Sequence, residues 1–218
     1  GVVALHREVD AGVDADVEGR EQPAQRLHAV AQHAGRDDGA RLHLAADPLD
    51  PNQVYGSAIG EPHNWLFSDV EPGSAFELGS TDAGKPGDAV TGIMFLRDDL
   101  KLIGCRTEMW ILRGAPPDGG GGSQVVSRHA GLLSFSSYCT GEKGELFWLG
   151  RGGVYVGNGD SEPISVSGDV LPRELRDLDA DSISIMAGYD RRARGALFCL
   201  TPNDPVAQVR HWFFYAPT

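Results

Sequence analysis

The run of this 218-residue chain most like a metal loop is Asp177, Asp179 and Asp181, three carboxylates at alternating positions. Such spacing can grip calcium when carbonyls complete the shell. A calcium loop also needs Gly sixth and a bidentate Glu twelfth, and Ser182 and Gly188 stand there instead. Asp14, Asp16 and Glu18 open a similar run, but its twelfth position is Gln25. Both runs read as solvated acidic segments. The glycine-rich stretch from Gly114 to Gln124 resembles a phosphate cradle only in its glycines. A cradle needs Lys-Ser/Thr next and a helix whose amides face the anion. Here Ser123-Gln124 leads into a β-prone run, so a flexible loop between two repeated units is expected. For nucleophilic catalysis there is no G-x-S-x-G elbow. Ser127, Arg128 and His129 stand together in sequence, and no Ser–His pair is expected of them. The sequence supplies no catalytic, cofactor-binding or metal-binding assignment.

Cys105, Cys139 and Cys199 are odd in number and lack CxxC spacing, so three buried apolar thiols are expected. With no disulfide scaffold in prospect, assembly in a reducing cytoplasm follows. The formal charge of −12 argues against a nucleic-acid clamp, which would carry a basic face. It does not argue against a wall past which DNA slides. No apolar run approaches the ~18 residues of a membrane span, and no signal peptide opens the chain. A soluble protein is expected. The start at Gly1 and the end just past an apolar strand read as a piece of something longer.

Residues 1–51 use only ten amino-acid types, all encodable by codons beginning with G or C. Ser, Thr, Lys, Asn, Ile, Met, Phe, Tyr, Trp and Cys are absent until Asn52. Two explanations stand side by side for residues 1–40: an out-of-frame translation of a GC-rich gene, or an acidic, Ala-rich arm. Four of the seven histidines, His6, His28, His33 and His43, fall in this biased stretch, which weakens any metal reading of them.

The remaining chain, 41–218, has Gly and Pro scattered among short apolar runs, as many short strands joined by turns require. Thr91–Leu96, Leu100–Cys105 and Glu108–Leu112 are joined by tight turns and predict a meander. Ser136–Cys139, Leu146–Leu149, Gly153–Val156 and Pro163–Ser167 predict a second. Ser182–Met186, Ala196–Leu200 and Val209–Tyr215 predict a third, and Arg41–Ala46 with Gln53–Ser57 an incomplete earlier one. Tyr55, Trp110, Tyr155 and Trp212 recur as the aromatic of each third strand. This spacing predicts an all-β, propeller-like array of antiparallel meander blades, with a β-sandwich as the alternative. One short helix is expected at Pro172–Leu178, with Leu171, Leu175 and Leu178 on one face.

The string from Arg41 to Trp65, with "PNQVYGS" followed by "GEPHNW", resembles a phrase of bacteriophage structural proteins. Thr91 to Gly114, Ser127 to Gly131, Leu171 to Leu175 and Ala187 to Asp190 continue the likeness. The resemblance spans about Arg41 to Tyr215 and is to propeller-like proteins of the phage tail or head–tail region. It implies a non-enzymatic virion protein, assembled in the bacterial cytoplasm with other phage structural proteins. Its copies would form a homo-oligomer around a symmetry axis, with no membrane and no specific nucleic-acid binding. In that arrangement the loop Asn64–Phe67 is expected to be buried between neighbours. The alternative is a carbohydrate-binding or glycan-cleaving propeller of a tail spike or secreted protein. Trp65 offers a stacking surface for it, and 31 acids leave paired carboxylates open. Against it, the Ser-x-Asp-x-Gly-x-Thr-Trp turn of sialidase-type propellers is absent.

Overall fold

The computed structural model describes residues 41–68, 71–79, 84–97, 99–114, 122–167 and 182–203, together with the backbone of 211–215. Among them there is no α-helix; the fold is all-β and antiparallel. Four sheets follow one another in chain order. The first is β1 (His43–Ala45), β2 (Val54–Gly56) and β3 (Phe76–Glu77). The second is β4 (Val90–Arg97), β5 (Leu100–Cys105), β6 (Met109–Arg113) and β7 (Gly122–Ser127). The third is β8 (Tyr138–Thr140), β9 (Leu146–Gly150), β10 (Gly153–Gly157) and β11 (Ile164–Ser165). The fourth is β12 (Ile183–Asp190), β13 (Gly195–Pro202) and β14 (His211–Tyr215). Each is a meander in which sequential strands pair, and no sheet closes on itself.

Side chains alternate across a strand, so a sheet covered on both faces must be apolar at successive positions. Strand β5 shows this: all six of its residues are buried, and Lys101 is the one charged residue among them. Ile103 and Cys105 pack with Ala45, Val54 and Phe76 of the first sheet's region. Leu100 and Leu102 face the other way, onto Leu146, Trp148 and Tyr155 of the third sheet. The third sheet repeats the arrangement, with Phe147, Leu149 and Val154 packed on Ile185, Ala196, Phe198 and Leu200 of the fourth. Three cores therefore lie between four consecutive sheets, each sheet resting on the next, which fits a blade-like or a sandwich arrangement.

A clasp holds the second and third sheets together. The connection after β7 sends Leu132 into a notch made by Gly92 and Gly104, where its N–H donates to the Cys105 carbonyl at 2.8 Å. The Thr91 hydroxyl donates to the Leu132 carbonyl at 2.7 Å. On the other side the Trp148 indole donates to the Ala130 carbonyl (3.2 Å) and the Tyr155 hydroxyl to the His129 carbonyl (3.2 Å). The two rings stack with centroids 5.9 Å apart.

The structure corrects several expectations. The glycine-rich loop joins β6 to β7 inside one sheet, not two repeated units, because the run after it pairs with β6 through Trp110↔Val125 and Ile111↔Gln124. Tyr55 lies on the middle strand of its sheet, whereas Trp110, Tyr155 and Trp212 lie on third strands. The expected helix at Pro172–Leu178 and the Asp177–Asp181 carboxylates fall outside the described residues, as do residues 1–40 with the Asp14 run, His6, His28 and His33.

The notch yields a direct test. A Cβ at position 104 would lie 2.4 Å from Leu132 Cβ, so Gly104→Ala should cost about 1–3 kcal/mol in urea unfolding, the range for overpacking. At Gly122 a Cβ would meet nothing within 4 Å, and Gly122→Ala should leave stability within ~0.5 kcal/mol of the parent. Equal effects from both would contradict the clasp.

Candidate functional site

Several groups that could do chemistry hold structural roles. The Ser127 hydroxyl, at the end of β7, accepts from the His129 backbone N–H at 3.3 Å and does not meet an imidazole. Arg128 pairs with Glu108 at 3.0 Å, and Glu108 also accepts from the Trp110 indole at 2.9 Å. No cluster of three metal-binding side chains occurs among the described residues. Cys105 and Cys139 are buried free thiols, each pushed up to about 12; burial is the main cause, and Asp88 and Glu108 add to it at Cys105. Cys199 departs from the expectation of three buried thiols, since it is only half-buried on β13.

Sequence reasoning missed a polar cluster between the first two sheets. Arg41, His43 and Lys101 are all buried there. The Arg41 guanidinium donates to the carbonyls of Ser57 (3.1 Å) and Ser74 (2.9 Å) and lies 5.3 Å from the Phe76 ring centroid. His43 is wedged between Phe95 and Phe76, with centroids 5.6 and 6.1 Å away. Its pKa is lowered to about 3 by burial, then by the charges of Lys101 and Arg41. The imidazole is therefore a neutral core side chain at pH 7. A signal for it was present in the alternation of Arg41, His43 and Ala45, whose side chains share the inward face.

The feature best suited to recognition is the connection between β2 and β3. It is long, yet its backbone is closely fixed. Ala58 N–H donates to the Asn64 carbonyl (3.0 Å), Ile59 N–H to the Gly73 carbonyl (2.8 Å) and Ser68 N–H to the Ala75 carbonyl (3.3 Å). Within it the Asn64 amide donates to Glu61 Oε2 at 2.7 Å, and Asn64 Oδ1 accepts from Leu66 N–H at 3.1 Å. The result is to hold apolar side chains in water: Leu66 is 79% exposed and Phe67 49%. Trp65, the residue singled out from the sequence, is half-buried. Phe67 leans on Tyr55 of β2 with centroids 6.0 Å apart, so the loop continues the outer face of the first sheet.

Carboxylates surround this platform. The Tyr55 hydroxyl donates to Asp47 Oδ2 at 3.4 Å, and its pKa is pushed up to about 12 by removal from water, then by Asp47, Asp50 and Glu77. Lys85 neutralises Asp50. Glu61 and Glu71 are exposed on the loop itself. From Leu42 to Gly84 the chain carries seven carboxylates and neither lysine nor arginine. The loop and the outer face of the first sheet together form an apolar surface with an acidic rim.

No protein-family model matches the chain, and no curated protein matches it.

Two measurements test these placements. For His43 the unfolded state takes up a proton below its ordinary 6.5, while the folded state does so only near 3. Its contribution to stability is therefore intact above pH 6.5 and is lost as pH falls towards 3, at about 1.4 kcal/mol per pH unit. Urea unfolding of the parent and of His43→Leu between pH 7 and 4 should show the difference between them changing at about that slope. For the thiols, Cys199 should react with a thiol reagent in the folded protein, and Cys105 and Cys139 only on unfolding. Uniform labelling of all three under native conditions would contradict the packing.

Proposed function

We propose that this chain is a non-enzymatic structural subunit of a bacteriophage virion, of the tail or head–tail connection, acting by assembly with other virion subunits. Three things support the reading. The residues from Arg41 to Tyr215 resemble phage structural proteins of that region. The stacked meanders invest nearly every buried side chain in sheet-to-sheet contact, the Cys105 and Cys139 thiols among them. The observation that carries most weight is the exposure of Leu66 and Phe67 on a loop fixed by its own hydrogen bonds. An isolated subunit gains nothing from ordering apolar side chains in water, whereas a subunit with a neighbour gains the burial, at about 25 cal/mol per Å².

On this reading the loop, not Trp65 alone, is the contact. Leu66→Asp should leave the thermal unfolding of the isolated chain nearly unchanged, because the side chain is already in water. It should block incorporation into particles; particles of normal composition carrying the variant would refute the proposal. A glycan array with a turnover assay separates the carbohydrate alternative, since saturable binding to one glycan family would favour that reading instead.

A further inference from the structure

Among the described residues, the first and fourth sheets each leave one face without a neighbouring sheet, and those two faces are complementary. On the fourth sheet, Ile183, Ile185, Ala187 and Tyr189 of β12 face the core, so Ser184, Met186 and Gly188 lie on the opposite face. The partners of these three on β13 are Thr201, Cys199 and Leu197. Met186 is 70% exposed, Leu197 and Cys199 are half-buried, and a Cβ at Gly188 would meet nothing within 4 Å. The face is thus an apolar strip with a notch. At the strip's end the β12–β13 turn presents Arg191, Arg192 and Arg194, all exposed. Arg194 holds a φ of 53°, a left-handed conformation that glycine favours. The Asp190 carboxylate fixes the turn by accepting from the N–H groups of Arg192 (2.8 Å) and Ala193 (3.3 Å).

The first sheet's outer face carries the opposite charge around a matching apolar centre of Tyr55, Leu66 and Phe67. Two first-sheet faces would repel each other, with carboxylates against carboxylates. Between consecutive sheets of the chain, each junction already buries one sheet's rear face on the next sheet's front face.

We propose that copies of this chain associate head to tail, the strip and arginine turn of one copy's fourth sheet seating on the acidic, apolar first sheet of the next. The proposal rests on the assembly reading above and deepens it by naming a second copy as the partner. It extends the internal junction across a chain boundary: apolar contact excludes water while Arg191 and Arg192 meet Glu61 and Glu71. Because the two surfaces differ, the contact is heterologous, and it generates a ring if the rotation closes and a filament if it does not.

Paired charge reversals test this. One full-length variant carries Arg191→Glu and Arg192→Glu, the other Glu61→Lys and Glu71→Lys. Circular dichroism and thermal melting establish that each is folded, all four sites being exposed. In sedimentation velocity the parent should self-associate with concentration, and high salt should weaken that association. Each variant alone should associate at least tenfold more weakly, and an equimolar mixture should recover association, since both mixed contacts again pair opposite charges. A parent that stays monomeric at all concentrations, or a mixture that recovers nothing, would overturn the head-to-tail contact. If the mixture recovers nothing while Leu66→Asp still blocks incorporation into particles, the docking mode falls and the assembly reading stands.

Discussion

Burial of the two central sheets on both faces is the constraint from which the rest of the structure follows. A half-exposed sheet can alternate apolar and polar residues, but β5 and β9 cannot, because each face meets a different neighbour. Leu100, Leu102, Leu146 and Trp148 fill one junction, while Ile103, Cys105, Phe147 and Leu149 serve the junctions on either side. Removing any one sheet would expose an apolar face of the next. The sheets are thus mutually dependent, although their hydrogen bonds are local.

This dependence explains where polar groups are tolerated inside. Arg41 is buried because carbonyls of the β2–β3 connection, at Ser57 and Ser74, accept its guanidinium protons. His43 is held neutral between two aromatic rings. The Trp148 and Tyr155 donors satisfy carbonyls of the segment that crosses between sheets. Through Arg41, Trp148 and Tyr155 a polar atom anchors a connection to the core, so these connections inherit the rigidity of the sheets. The β2–β3 connection uses that rigidity to keep Leu66 and Phe67 outward.

Much of the sheet architecture was legible in the residues. Leu100–Cys105 was bounded correctly because a mostly apolar run between two turn signals leaves few choices. The turn at Asp190–Gly195 likewise set the β12–β13 hairpin. Strand β3 escaped notice because two residues, Phe76 and Glu77, carry no period. The start of strand β7 escaped because Gly122, Ser123 and Gln124 have little β-propensity of their own; they are strand because β6 offers them a ladder. The buried cluster of Arg41, His43 and Lys101 was hidden for a related reason. Burial of a cation depends on which distant carbonyls and rings approach it, and sequence distance conceals them.

The sequence by itself determined that the described residues would be all-β and that their strands would form successive meanders. Those outcomes follow from short-range physics: alternation, turn chemistry and the lengths of apolar runs. Only the tertiary structure decided which face of each strand meets which sheet, that Leu132 would lock two sheets through a pair of glycines, and that Leu66 and Phe67 would stand in water amid carboxylates. Those outcomes depend on contacts between residues far apart in the chain, and no local pattern encodes which surfaces will be left uncovered once the sheets have stacked.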